Sequence, residues 1–189
     1  MRDYVRLSGI LFIITAVVAF VLSIANSATN ERINSLAKAA VKSAQSEVLK
    51  GAGDIELDTA QTFEYKTDNS SVSSITKYQK TDGGSLFAVS CAPKGYGGEI
   101  SMMVGVDDNL TIIGINIIDN AKETPGLGSE IGKSEFYNQF GGKTPNITIT
   151  KGKPSDNEIQ AVTGATVSSK AVVNGVNDAI AAVQEVLST

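Results

Sequence analysis

Histidine is absent from all 189 residues, and that alone removes several chemistries. Without imidazole there is no His-ligated metal site, no Ser-His-Asp triad and no imidazole proton shuttle. Cysteine is nearly as scarce. Cys91 stands alone, so the chain forms no internal disulfide and cannot by itself hold an iron–sulfur cluster, which takes about four ligands. It falls in the alternating apolar stretch LFAVSCA and reads as a small buried core residue, not a reactive thiol. Basic clusters are missing too. The net charge is −4 overall and near −5 from Ser27 onward, because the preceding segment holds Arg2, Arg6 and Asp3. Nucleic acid is therefore not an expected partner, since its binding depends on neutralising phosphates. The Gly-Lys-Ser/Thr ending of a nucleotide-binding P-loop is lacking, as is a Rossmann glycine fingerprint after a strand. Any redox role must rest on a cofactor that needs neither His nor Cys. No metal site and no catalytic residue is expected.

What the chain does have begins at its N-terminus. From Gly9 to Ala25 it reads GILFIITAVVAFVLSIA, without a charge. A membrane-spanning helix needs about 20 largely apolar residues, and Val5 to Ala25 supplies them if Arg6 reaches out to the interface. Residues 1–27 are read as a transmembrane anchor. Arg2, Arg6 and the free amine precede the apolar run, whereas Ala25 to Asn30 carries no charge. That contrast predicts a cytoplasmic N-terminus and an extracytoplasmic domain. A cleaved signal peptide ending near Ala25-Asn26-Ser27 is the competing reading, but its apolar core would exceed the usual span of about 7–15 residues. Over residues 28–50, Ile33, Leu36, Ala40, Ala44 and Val48 recur at spacings of three and four. This predicts a juxtamembrane helix with one apolar face, packed on its own domain or on a partner.

Residues 51–189 form the expected globular domain. Thr67 to Ser74, rich in Thr, Ser and Asp, reads as an exposed loop. Strands are predicted at Ser85–Ala92, Glu99–Val106 and Leu110–Ile118, the last two joined by a tight hairpin at Asp107-Asp108-Asn109. Ser129 to Phe140 reads as a short helix stopped by Gly141-Gly142. Asn146–Thr150 and Ile159–Val162 read as short strands. In the final helix Val172, Val176, Ile180, Val183 and Leu187 line one face, with Ser168 or Ser169 placed to cap its start. The fold class is α+β: an antiparallel sheet with packed helices, preceded by one N-terminal transmembrane helix.

One segment stands out chemically. Between Ile159 and Lys170 a short strand ends, small residues turn, and a helix begins. Gly164 and Ala165 leave the backbone open, while Thr163, Thr166, Ser168 and Ser169 concentrate hydroxyls. Unpaired N–H groups and the positive end of the helix dipole suit a phosphate there, esterified to Thr166 or bound beside it. Ordinary turn-and-cap chemistry accounts for the same residues. Upstream, Glu123-Thr124-Pro125-Gly126-Leu127-Gly128 is a second constrained loop. Pro125 fixes its own φ and restricts Thr124, and the glycines open conformations closed to other residues.

The stretch Val162-Thr163-Gly164-Ala165-Thr166-Val167-Ser168-Ser169 resembles the flavinylation motif of the FMN-binding domain family. That family includes G subunits of Rnf complexes and C subunits of sodium-pumping NADH:quinone reductases. The Glu123–Gly128 loop is similar to the family's E-T-P-G-L-G loop, and Gly95-Tyr96-Gly97-Gly98-Glu99 to the glycine-rich segment before it. Anchor, GYGG, ETPGLG, TGAT and terminal helix also stand in the family's order. Gln160 occupies a place where the motif commonly has an acidic residue, and Ala121 one where relatives often carry histidine.

The resemblance implies FMN attached covalently by a phosphoester to Thr166, placed there by a flavin transferase with FAD as donor. It implies cofactor contacts from Thr163, Gly164, Ala165, Glu123, Thr124, Gly126, Leu127 and Tyr96. Thr124 would face the polar ring edge and Leu127 cover one face. Glu123 has the alternative of capping the helix near Ser129, and Tyr96 that of a core residue. The implied function is a membrane-anchored electron-transfer subunit of an Rnf-type ferredoxin:NAD oxidoreductase coupled to ion translocation. Its partners would be the other membrane and redox subunits, and it would not be catalytic alone. A C-type component of a sodium-pumping NADH:quinone reductase or a stand-alone FMN carrier is the nearest alternative. A cofactor-free extracytoplasmic assembly module is the alternative from another class.

Overall fold

The computed structural model describes residues 2–50, 55–65, 70–81 and 83–188. The chain divides into two compact units, Met1–Ala40 and Val41–Thr189. The boundary falls inside the segment read as the juxtamembrane helix. In the first unit the apolar run is helical, and Arg6–Asn26 is long and apolar enough to cross a membrane. Its large side chains, Phe12, Phe20 and Leu22 among them, are exposed. Ile33 and Leu36 are exposed as well. The helix, α1, runs Arg2–Val48.

The second unit is built on a five-stranded antiparallel meander, β1 (Ile55–Glu64), β2 (Val72–Lys80), β3 (Ser85–Cys91), β4 (Ser101–Asp107) and β5 (Ile112–Asp119), paired in chain order. Side chains alternate between its faces with period two. Phe87, Val89 and Cys91 of β3 and Met102, Val104 and Val106 of β4 point to one face. There they meet Val172, Val176, Ile180 and Val183 of the last helix, α3 (Thr166–Ser188). Leu86, Ala88 and Met103 point to the other face, against Ala44, Val48 and Leu49 at the end of α1. Burying a side chain such as Phe87 contributes roughly 1.5–3 kcal/mol, and both faces are covered. Thus the end of the juxtamembrane segment packs on its own domain.

Cys91 is buried at 1% exposure. Burial, with the Asp178 carboxylate adding to it, pushes its thiol far above the ordinary range. The expected core role holds, and thiolate chemistry is disfavoured.

Three differences from the sequence reading stand out. β1 and β2 were not anticipated. Val72 to Ser74, read as the end of a loop, opens β2, and Thr67 to Asn69 lie outside the described residues. The predicted helix over Ser129–Phe140 is three short pieces: a 3-10 turn Gly128–Gly132, the α-turn α2 (Ser134–Tyr137) and a 3-10 turn Asn138–Phe140. Lys133 breaks it with extended backbone, φ −90° and ψ 151°, so Ile131, Phe136 and Phe140 all reach the core. The two short strands, β6 (Thr148–Thr150) and β7 (Glu158–Gln160), pair in parallel outside the main sheet. The Asp107–Asn109 hairpin does form. Asp107 Oδ1 accepts from the backbone N–H groups of Asn109 and Thr111 at 3.0 and 2.7 Å.

At Gly105 on β4 an added Cβ would lie 2.6 Å from the Val48 carbonyl oxygen, whereas at Gly114 on β5 the same oxygen is 3.7 Å away. Gly105→Ala should therefore lower unfolding stability by about 1–3 kcal/mol through overpacking, and Gly114→Ala by much less. Denaturant midpoints of the two variants would check this; equal midpoints would contradict the packing of α1's end on the sheet.

Candidate functional site

Two tight turns of the same type build the site. In the first, the Leu127 N–H donates to the Thr124 carbonyl at 3.1 Å. Pro125 and Gly126 are the central residues, with Gly126 at φ 74°. In the second, the Ala165 N–H donates to the Val162 carbonyl at 3.0 Å. Thr163 and Gly164 are central there, and Gly164 has φ 78°. A type II turn demands positive φ at its third residue, which glycine supplies in both, and favours proline at its second, which the first turn alone has. The turns touch: a Cβ on Gly164 would sit 2.9 Å from Leu127 Cδ2.

The second turn delivers the chain into α3, which starts at Thr166, ahead of the Ser168 or Ser169 cap expected from sequence. Ala165 accepts the first helical bond, from the Ser169 N–H at 3.0 Å, so the N-cap position carries no side-chain oxygen. Ser168 and Ser169 are therefore inside the first turn and do not cap it from outside. Ser168 donates to Glu123 Oε2 at 2.5 Å, and the Ser169 hydroxyl donates to the Ala165 carbonyl and accepts from the Val162 N–H. Both are buried at 1% exposure or less. By contrast, the hydroxyls of Thr163 and Thr166 make no hydrogen bond among the described residues, and the first N–H groups of α3 meet no acceptor from other described segments. Unpaired donors at a helix N-terminus are an anion site.

The third segment, Gly95–Glu99, closes on itself through the Gly95 N–H to the Gly98 carbonyl at 2.7 Å and a bridge between Lys94 and Glu99. It lies directly against the Glu123–Gly128 loop. Tyr96 is 73% exposed, so it is not a core residue. Leu127 is 44% exposed and Thr124 is exposed. Glu123 is different. It is 3% exposed, and its two oxygens are taken by the Gly97 N–H at 3.0 Å and by Ser168. It caps no helix near Ser129: the 3-10 turn there has no side-chain cap. Lys122 and Thr124 flank Glu123 in the sequence, and nothing local there marks this network.

Beside the two turns opens a groove of about 590 Å³, lined among others by Gly126, Lys133, Phe136, Gln139, Gln160 and Thr163. Gln139 clamps its wall by accepting from the Gln160 N–H at 2.8 Å. Lys133 pairs with Glu130 at 2.6 Å, which raises the lysine pKa. Among the described residues no group of His, Cys, Asp and Glu is arranged to hold a metal.

An added Cβ at Gly97 would fall 1.8 Å from the backbone oxygen of Lys122, while at Gly98 it would meet only the flexible Lys122 side chain, at 2.5 Å. Gly97→Ala should displace the Gly95–Glu99 loop and cost about 1–3 kcal/mol. Gly98→Ala should cost under about 1 kcal/mol. Limited proteolysis at this loop together with denaturant unfolding would separate the two.

The FMN-binding domain family matches residues 95–181, the span that holds all three segments and most of α3. Over 186 residues the chain is 34% identical to the G subunit of the Na(+)-translocating ferredoxin:NAD(+) oxidoreductase complex of Acetobacterium woodii, covering 93% of this chain and 89% of that one. It is 30% identical to the G subunit of the ion-translocating oxidoreductase complex of Methanosarcina acetivorans, covering 95% and 94%. Among solved structures it is similar to the C subunit of the Na(+)-translocating NADH-quinone reductase of Parabacteroides distasonis, with TM-score 0.52 and 25% identity over 61% of this chain and 63% of that one. The chain therefore belongs to the FMN-binding domain family, among the G subunits of ion-translocating oxidoreductase complexes.

Proposed function

We propose that this chain is an electron-transfer subunit of an Rnf-type ferredoxin:NAD oxidoreductase, carrying FMN as a phosphoester on Thr166. Residues 1–27 anchor it, 28–50 connect, and 51–189 form the FMN domain on the extracytoplasmic side, relaying electrons to and from the other subunits. One observation supports the attachment site above the rest. Of the hydroxyls gathered at the start of α3, those of Ser168 and Ser169 are buried and bonded, while that of Thr166 is half-buried and has no hydrogen bond among the described residues. It also stands at the first position of a 23-residue helix whose open N–H groups favour a phosphate.

Attachment is a phosphoryl-group transfer. The Thr166 oxygen forms the new P–O bond, the pyrophosphate bond of FAD breaks, AMP leaves, and the hydroxyl proton passes to solvent. No oxidant or reductant enters. Once held, the flavin supplies the redox chemistry, and the protein supplies place and environment. Leu127 and Thr124, exposed on the neighbouring turn, cover and orient the ring, and the groove beside Gly126 and Thr163 gives it room. Tyr96 offers an exposed aromatic face. Glu123, with both oxygens engaged, contributes by placing others. A covalent bond keeps the cofactor on the extracytoplasmic side, where free FMN would be lost.

Thr166→Ala should abolish covalent flavin while changing stability by about 1 kcal/mol or less, the scale of a first-turn hydroxyl. Thr163→Ala should only slow loading. Peptide mass spectrometry after co-expression with the flavin transferase checks both. A wild-type peptide spanning Thr166 should carry the mass of FMN less one water. An unmodified peptide, with a control substrate loaded, would instead favour a cofactor-free assembly module.

A further inference from the structure

We infer that Glu123 is a positioning residue: a buried carboxylate latch that holds the Gly95–Glu99 loop, the Glu123–Gly128 loop and the first turn of α3 in the one arrangement that presents Thr166. This rests on the reading of Thr166 as the flavin acceptor.

A carboxylate is an expensive group to bury unless its oxygens are satisfied. Glu123 is 3% exposed, and among the described residues no lysine or arginine pairs with it. Its oxygens instead reach two different segments. Oε1 accepts from the Gly97 backbone N–H, and Oε2 accepts from the Ser168 hydroxyl. Ser168 lies in the first turn of α3, so the negative charge also faces the positive end of the helix dipole.

The surrounding backbone is shaped to this side chain. A Cβ on Gly95 would lie 2.2 Å from Oε1; one on Gly128 would lie 2.3 Å from Oε2 and 2.9 Å from Ser168 Oγ. Two glycines on separate segments are thus spent on admitting one carboxylate. Every segment it joins carries an exposed or half-buried residue of the proposed flavin site: Tyr96 beside Gly97, Leu127 beside Gly128, and Thr166 two positions before Ser168. An apolar side chain would fill the same space at lower desolvation cost but could fix neither donor.

The test uses the full-length chain in detergent, with purified flavin transferase and FAD. Two quantities are read: the initial rate of FMN attachment and the hydrogen-exchange rate of the Gly97 amide. Glu123→Ala removes both acceptors. It should slow attachment and speed Gly97 exchange by about tenfold or more, the loss of one charged hydrogen bond, while the helical circular dichroism persists. Glu123→Gln should recover most of both, because the amide oxygen can accept from Gly97 and the amide nitrogen can donate to Ser168 Oγ. Glu123→Met fills the same space without accepting from Gly97 or bonding Ser168, so it should recover neither quantity, and recovery by methionine would mark a mere filler and overturn the latch. Ser168→Ala cuts one arm only and should slow attachment by about threefold or more. If Glu123→Ala fails to fold, the glutamine and Ser168 variants decide alone. Unchanged attachment in Ser168→Ala, or glutamine losing both quantities as completely as alanine, would overturn the latch. A wild-type chain that takes no flavin while a control protein does would instead defeat the Thr166 reading. Gly97 exchange, which needs no flavin, would then judge the latch by itself.

Discussion

Close approach of backbone to backbone governs the site end of this domain. The Lys122 carbonyl lies where a side chain at position 97 would have to be, and Glu123 fills the space that side chains at 95 and 128 would claim. No residue but glycine fits at these points, so the loops cannot be repacked piece by piece. The hydrogen bonds of Glu123 to Gly97 and Ser168 then turn this tight fit into a directed one. A loop that is only close-packed can slide; a loop whose donor meets a fixed acceptor cannot do so without stranding a buried polar group.

The sheet supplies the rigid side of that arrangement. Its strands β3 and β4 are buried on both faces, one against α3 and the other against the end of α1. Helix α3 is therefore held along its length by Val172, Val176, Ile180 and Val183, and its N-terminal turn is placed by packing far from the turn itself. Asp178, midway along the same helix, accepts from the Ser71 backbone and hydroxyl at 3.0 and 2.7 Å and ties in the start of β2. A site on a rigid element keeps its geometry better than one on a loop. The threonine at the head of α3 inherits that rigidity, while the two turns beside it supply shape.

Legibility in the sequence followed the strength of local signals. Strands β3 to β5, the hairpin between β4 and β5 and the face of α3 could be read, because each has unmixed periodicity or firm turn chemistry. β2 could not. Its sequence VSSITKYQK is hydroxyl-rich, its buried positions include Thr76 beside Val72, Ile75 and Tyr78, and its first three residues fell in the segment read as a loop, Thr67 to Ser74. The Ser129–Phe140 segment carries helical spacing in Phe136 and Phe140, but Lys133 adopts extended backbone, and the broken chain seats Ile131 as well as the two phenylalanines in the core, a tertiary fit that local spacing does not encode. At the site, both constrained turns were visible in Pro125, Gly126 and Gly164. The partnership of Glu123 with Ser168 was not, since 45 residues separate them and nothing local marks the pairing.

The four residues Thr163 to Thr166, the attachment segment proposed above, depart from a helix start made for stability. Thr163 and Gly164 make the turn, and Gly164 alone supplies the positive φ it needs. Ala165, 6% exposed, occupies the N-cap, where serine or aspartate would be worth about 1 kcal/mol. A capping oxygen there would occupy the first N–H groups of α3. It would also set a competing polar atom beside the hydroxyl of residue 166. Alanine forgoes that stability and supplies no capping acceptor, so the first N–H groups stay open to an incoming phosphate. Ser169 partly offsets the loss from inside, by meeting the Val162 N–H and the Ala165 carbonyl. Local rules are broken in natural proteins chiefly where function asks for it. Here the rule broken is the cap, and what it leaves available is a hydroxyl at the positive end of a rigid helix.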